Sequence, residues 1–131
     1  MSNKQKVKFK DIIQSNKPVL VDFYATWCGP CKQLSPIVND VKEELKGKMK
    51  VIKVDVDKKK SVSNKYKVRS LPTLAIFQNG KILWRETGLK TKSELLAIVN
   101  QYIDLPAESM QEPNSATIDV KKKSWWSRLF G

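Results

Sequence analysis

The sequence predicts an α/β fold in which a central mixed sheet of four strands, with room for a fifth at the N-terminal edge, is flanked by helices. Two apolar runs, Val19–Tyr24 and Val51–Val56, are nearly unbroken, as in strands buried on both faces of a parallel sheet. Between them Leu34, Ile37, Val38, Val41 and Leu45 repeat at helical spacing, so strand, helix and strand form one right-handed crossover unit. Further on, Leu74–Phe77 and Ile82–Arg85 flank Asn79-Gly80, a strong hairpin signal, which adds an antiparallel pair to the sheet.

The remaining elements follow in order. Phe9, Ile12 and Ile13 share one face of a short first helix, and Pro18 precedes the first strand. After Tyr24 the chain reads Ala25-Thr26-Trp27-Cys28-Gly29-Pro30-Cys31 and enters the long helix. Pro30 suits the first helical turn, where its missing N–H is not needed. Pro36 sits inside this helix and should bend it, and Gly47 is a plausible terminator. Ser61–Lys67 reads as a short helix or an irregular turn. Thr91-Lys92-Ser93-Glu94 is a capping-box pattern, and the helix it opens buries Leu95, Leu96, Ile98, Val99, Tyr102 and Ile103. Residues 106–120 are rich in polar residues and proline with little periodicity, the composition of a disordered linker. The organisation is therefore a domain over residues 1–105, a linker over 106–120 and a basic aromatic tail over 121–131, without internal repeats.

Composition narrows the chemistry. Of 131 residues 40% are hydrophobic, enough for one ordinary core. There are 25 Lys and Arg against 13 Asp and Glu and no His, for a net charge of +12. Without His there is no Ser–His or Cys–His nucleophile pair and no His metal ligand, and two Cys cannot complete a four-thiolate zinc site within one chain. No metal and no cofactor are expected. The positive charge is spread along the chain without a recognised nucleic-acid motif, so no nucleic-acid partner is expected either. Met1–Lys10 is polar and lysine-rich, without the apolar core of a signal peptide, and no run approaches the ~18 apolar residues of a spanning helix. A cytoplasmic, thiol-reducing setting is the expectation, and there two Cys three positions apart read as catalytic rather than structural.

The Cys pair lies where a strand ends and a helix begins. Cys28 falls at the helix N-terminus, where free N–H groups and the positive end of the helix dipole favour a thiolate. It is the expected nucleophile. Cys31 lies one turn in, on the same side and within reach for a Cys28–Cys31 disulfide. As the resolving thiol it must lose a proton inside the protein. Asp22, which interrupts an apolar strand, is the candidate proton relay, because burial raises a carboxyl pKa towards neutrality. Lys53 interrupts the neighbouring apolar run and is placed to balance Asp22.

Trp27-Cys28-Gly29-Pro30-Cys31-Lys32 resembles the active-site segment of the thioredoxin family. Asp22, Pro36, Lys53, Leu71-Pro72-Thr73, Asn79-Gly80 and Gly88 match that family in order, and the resemblance covers roughly residues 8 to 105. It implies the thioredoxin fold and the activity of a thiol–disulfide oxidoreductase: a monomeric, general protein disulfide reductase, regenerated by a thioredoxin reductase. It also implies that Pro72 is cis and faces the Cys pair. The backbone at Leu71 would pair with an extended client segment. Trp27, Gly29 and Pro30, with Gly88, would complete a shallow apolar client surface. Gly29-Pro30 between the cysteines resembles reducing members of the family, whereas oxidising members usually carry a His there. Two positions depart from the pattern. Apart from Met1 and Val7, only polar or basic residues precede Phe9, where the family usually has an edge strand, and Tyr24 stands where a second Trp is common.

The tail reads Lys121-Lys122-Lys123-Ser124-Trp125-Trp126-Ser127-Arg128-Leu129-Phe130-Gly131. At ~100° per residue, Trp125, Trp126, Leu129 and Phe130 fall within an arc of about 140°. Paired Trp with Lys and Arg suits the interface of an anionic bilayer, which would make the protein peripheral on the inner face of the membrane; the alternative is a flexible tail that docks on its own domain, on a partner or on nothing. Four basic side chains at about 1 kcal/mol each give a modest, salt-sensitive attraction. The expectation is that the full chain co-sediments with anionic vesicles at low salt and less so at high salt, while a chain ending at Val120 does not. Equal binding by both would remove the anchor.

Overall fold

The computed structural model describes residues 8–103. The expected linker at 106–120, the tail at 121–131 and residues 1–7, the place of any first edge strand, lie outside the described residues. The elements are α1 (Phe9–Ile13), β1 (Val19–Tyr24), α2 (Gly29–Glu44), β2 (Lys50–Asp55), α3 (Lys60–Lys65), β3 (Thr73–Gln78), β4 (Lys81–Thr87) and α4 (Lys92–Ile103). They build the expected mixed sheet, four strands among the described residues in the order β2-β1-β3-β4. β1 and β2 are parallel, whereas β1–β3 and β3–β4 are antiparallel. None of the described helices is long and apolar enough to cross a membrane.

Each face of the sheet is covered by its own pair of helices. Leu20, Leu74 and Ile76 pack with Leu34, Val38 and Val41 of α2 and with Leu95 and Val99 of α4. Val19, Val21, Phe23, Ala75 and Phe77 pack on the opposite side with Phe9 and Ile13 of α1, where Val62 and Tyr66 around α3 complete the layer. Phe9, Tyr66 and Phe77 meet edge to face at centroid distances of 5.2–5.7 Å. Each fully buried Leu, Ile or Phe contributes about 1.5–3 kcal/mol over its exposed state, so β1, buried from Val19 to Phe23, and β3, buried throughout, anchor the domain.

β2 differs from its reading as a strand buried on both faces. Val51 and Val54 are buried, but Lys50 and Lys53 are exposed. It is one of the two edge strands of the described sheet, with a neighbour on one side only.

The hairpin turn shows why its two residues are needed. Asn79 and Gly80 have φ of 54° and 80°, the left-handed geometry that a two-residue hairpin loop requires. The turn is fastened to the α1–β1 connection: Asn79 N–H donates to Ser15 O at 2.9 Å and Gly80 N–H to Ile13 O at 2.8 Å. A Cβ at Gly80 would meet only the movable end of the Gln14 side chain, so it is the left-handed backbone, rather than the space around it, that favours glycine here. On β4 the Arg85 guanidinium donates to the carbonyls of Tyr66 and Lys67, holding the end of α3.

At the start of α4, Glu94 N–H donates to Thr91 Oγ1 at 3.1 Å and Thr91 N–H donates to Glu94 Oε1 at 2.9 Å, the reciprocal pair of a capping box. Thr91→Ala should cost about 1 kcal/mol in urea unfolding, and Thr91→Ser much less. An unchanged midpoint for Thr91→Ala would show that the box adds nothing to α4.

Candidate active site

β1 delivers the chain to the end of the sheet, and Ala25-Thr26-Trp27 turns it into α2. Cys28 is the N-cap, with φ −89° and ψ 117°, and its amide donates to Ala25 O at 3.2 Å. Its Sγ accepts the Cys31 amide at 3.2 Å, so one of the free donors of the helix start already points at this sulfur. Gly29 and Pro30 form the first two helical positions. Cys28 and Cys31 are joined in a disulfide with their Cα atoms 5.2 Å apart. Both are nearly buried, and they pack with Ala25 against Tyr24, Val56 and Leu71.

On the outer side of the disulfide lies a cleft of about 440 Å³ lined by Trp27, Cys28, Gly29, Pro30, Val56, Val68, Arg69 and Leu71. Trp27 is 69% exposed, unusual for so large an apolar ring, yet its indole N–H donates to Asp57 Oδ2 at 2.8 Å. Asp57 is steadied in turn, because its amide donates to Asp55 Oδ1 at 2.9 Å. The ring is thus presented on the surface in one orientation. Leu71 forms part of the opposite wall, and the Leu71–Pro72 peptide bond is cis. Thr73 Oγ1 donates to Ser70 O at 2.6 Å, and the amide of Gly88, at φ 112°, donates to Pro72 O at 2.9 Å. Gly88 therefore does not line the cleft itself but fastens the loop that does.

On the inner side of Cys31 lies a second cavity, of about 330 Å³, lined by Asp22, Tyr24, Ala25, Thr26, Cys31, Lys32, Ser35 and Lys53. Asp22 is 1% exposed and stands in register with Lys53 on β2 and Leu74 on β3. Its Oδ1 has no hydrogen-bond partner. Burial pushes its pKa from 3.8 up to about 6, and the positive charge of Lys53 pulls it back in part. The Tyr24 phenol is held above its ordinary pKa by burial, and by the negative charges of Asp55 and Asp22. The Lys53 ammonium itself donates to Ser35 Oγ at 2.5 Å.

The fold thus gathers all the site residues named from sequence around one disulfide. Trp27, Gly29, Pro30 and Leu71 share the cleft with Cys28, while Asp22 and Lys53 share the inner cavity with Cys31. Pro72 and Gly88 shape the loop between β3 and α3. Val56, Val68, Arg69, Asp57 and Ser35 join them without having been singled out in the sequence. Val56 closes an apolar run and reads as strand interior. Asp57 and Val68 lie in lysine-rich connections with no periodicity to mark them. Reversible dithiol–disulfide exchange fits this arrangement: a sulfur at a helix start, a partner sulfur one turn in, and a buried acid behind it.

Comparison with known proteins agrees with the geometry. The chain matches the family model described as Thioredoxin over residues 1–101. It is 45% identical over 94 residues to a thioredoxin of Rickettsia felis, covering 72% of this chain and 90% of that protein. It is 44% identical over 88 residues to the bifunctional thioredoxin reductase/thioredoxin of Mycobacterium leprae, covering 67% of this chain and 19% of that protein. Among solved structures, a mutant thioredoxin from Halobacterium salinarum superposes with a TM-score of 0.69 at 34% identity, covering 78% of this chain and 88% of that one.

Asp22 links the site to stability. Its folded pKa, about 6, lies above the unfolded value near 3.8. The contribution of Asp22 is therefore most favourable below about pH 3.8, where the carboxyl is neutral in both states, and is lost as pH rises to about 6. At about 1.4 kcal/mol per unit, the loss is on the order of 3 kcal/mol. Asp22→Asn, compared with the parent chain by urea unfolding, should gain about 2–3 kcal/mol more at about pH 7.5 than at about pH 3.5. A gain independent of pH would show that the buried charge is not its source.

Proposed function

The chain belongs to the thioredoxin family and is a thiol–disulfide oxidoreductase, and from that premise we propose that it acts as a general protein disulfide reductase with Cys28 as nucleophile and Cys31 as resolving thiol. The supporting observation is the position of Cys28 as N-cap of α2, its Sγ accepting the Cys31 amide, at the edge of an open apolar cleft. In the reduced protein that amide and the helix dipole stabilise a thiolate on Cys28.

The cycle is a pair of exchanges. The Cys28 thiolate attacks one sulfur of a client disulfide, forming a mixed disulfide and expelling the other client sulfur as a thiolate, which takes a proton from water. Cys31 then gives its proton to Asp22 and attacks Cys28 Sγ. The second client sulfur leaves, the client has gained two electrons, and the Cys28–Cys31 disulfide remains. Asp22 passes the proton on through the inner cavity, and a pKa of about 6 keeps it largely ionised at neutrality, ready to accept. Lys53 moderates that pKa. On the client side, an extended segment pairs with the backbone at Leu71 beside cis Pro72 and lies against Trp27, Gly29 and Pro30, with Gly88 holding the loop. Trp27 adds to that surface an exposed apolar ring held by one hydrogen bond, which suits contact with varied clients.

Members of this family are reduced by thioredoxin reductase, and a relative carries both names in one protein; a reductase of that kind is the proposed electron donor here. The proposed setting is the cytoplasm, with the domain of residues 1–105 working as a monomer. The linker 106–120 would tether it to a membrane surface through the amphipathic tail 121–131.

With dithiothreitol as reductant the chain should reduce insulin disulfides catalytically. Cys28→Ser should fall to the uncatalysed rate, and Cys31→Ser should accumulate mixed disulfides with its substrates. Turnover by Cys28→Ser but not by Cys31→Ser would reverse the assignment.

A further inference from the structure

Lys53 stands opposite Asp22 in the register of β1 and β2, yet its ammonium is not spent on the carboxylate. It donates instead to Ser35 Oγ at 2.5 Å, and Asp22 Oδ1 is left without a hydrogen-bond partner. Ser35 lies on α2 one turn beyond Cys31, half-buried, and lines the same cavity as Asp22, Cys31 and Lys53. The carboxylate and the ammonium therefore interact through space, at a separation set by whatever holds the ammonium.

Lys53 sits on an edge strand of the described sheet, and its residue is exposed. A lysine ammonium is strongly hydrated and rides on a flexible four-carbon stem. Without an acceptor at the cavity wall, bulk water is the better environment for it, and the charge would withdraw from Asp22. The other groups around the carboxylate do not replace it. Tyr24 on β1 is neutral at ordinary pH, Cys31 on α2 is in the disulfide, and Leu74 on β3 is apolar. Lys32 also lines the cavity from α2, but Lys53 is the positive charge that acts on Asp22.

We propose that Ser35 is a positioning residue: its hydroxyl holds the Lys53 ammonium in the inner cavity and thereby sets the pH at which Asp22 takes up a proton. The proposal deepens the reading of Asp22 as proton acceptor for Cys31 and rests on it for its consequence in turnover. Ser35 touches neither client nor sulfur and acts only through Lys53.

The direct test is the titration of the Asp22 carboxyl carbon by NMR in the oxidised full chain, a readout that does not depend on turnover. Ser35→Ala should raise the Asp22 midpoint by roughly 0.5–1 unit, because an opposite charge within about 4–6 Å lowers a carboxyl by about 1–3 units and here it retreats rather than vanishes. Lys53→Gln should raise it at least as far. Ser35→Ala added to Lys53→Gln should move it no further, the non-additivity of two changes acting through one charge. Ser35→Thr, which keeps the hydroxyl, should restore the parent value. A Ser35→Ala midpoint that is unchanged or lowered overturns the proposal, and so does a full Ser35→Ala shift persisting in the Lys53→Gln background. The pH profile of mixed-disulfide resolution, measured on the same variants, tests the underlying reading separately. It should move upward with the carboxyl midpoint. If the midpoint moves and the profile stays, Ser35 positions Lys53 as proposed and Asp22 is not the proton acceptor.

Discussion

β1 is buried on both faces from Val19 to Phe23, and it lies between a parallel neighbour, β2, and an antiparallel one, β3. A slip of one residue would turn Leu20 and Asp22 into the α1/α3 layer and push Val21 and Phe23 into the α2/α4 layer, exchanging two cores of different shape. That register therefore has no near alternative. It also decides the chemistry, because it puts Asp22 on the α2 side of the sheet, opposite Lys53, and releases the chain at Tyr24 where the next turn becomes the N-terminus of α2. The nucleophilic position, the buried acid and the separation between them all follow from the way one strand is seated.

The disulfide divides the site into two environments with different physical tasks. Outside it, the cleft of Trp27, Pro30, Val56, Val68 and Leu71 is apolar and open, with Arg69 as its one charged wall residue. On the proposed function, such a surface would hold extended clients by area and backbone pairing rather than by detailed side-chain recognition. Inside it, the cavity around Asp22 holds charges whose strength depends on how little water reaches them. In the proposed cycle the two halves of the exchange would occupy opposite sides of one helix start, with mixed-disulfide formation assigned to Cys28 and the cleft and resolution to Cys31 and the cavity.

Loop geometry keeps the two sides aligned. Gly88 holds Pro72 from the end of β4, Thr73 holds Ser70, and Arg85 holds the end of α3 from the adjacent strand. These ties run from the rigid antiparallel half of the sheet to the loop bearing Val68, Arg69 and Leu71. The client wall is therefore supported by elements that carry no chemistry of their own. The similarity to thioredoxins extends over most of the chain and includes the fold.

Much of this was legible from residue order alone. The strand–helix–strand unit, the Asn79-Gly80 hairpin, the Thr91–Glu94 cap and the place of Cys28 at a helix start are all local, and local patterns of apolar spacing, turn residues and caps specify them. Asp22 and Lys53 stood out because a charge inside an apolar run demands an explanation. Other features depend on contacts between segments far apart in the chain. Asp57 as the partner of Trp27, Val56 and Val68 as cleft walls, and Ser35 as the acceptor for Lys53 have ordinary local contexts, and only the packing of α2 and the loops over the sheet end gives them a role. The apolar run of β2 resembles that of β1, but composition does not reveal which strands lie at the sheet edge. Sequence determined the motif and the elements, since those rest on interactions within a few residues. The tertiary structure decided which side chains face Asp22 and the client, since strand order, register and helix docking act between segments tens of residues apart.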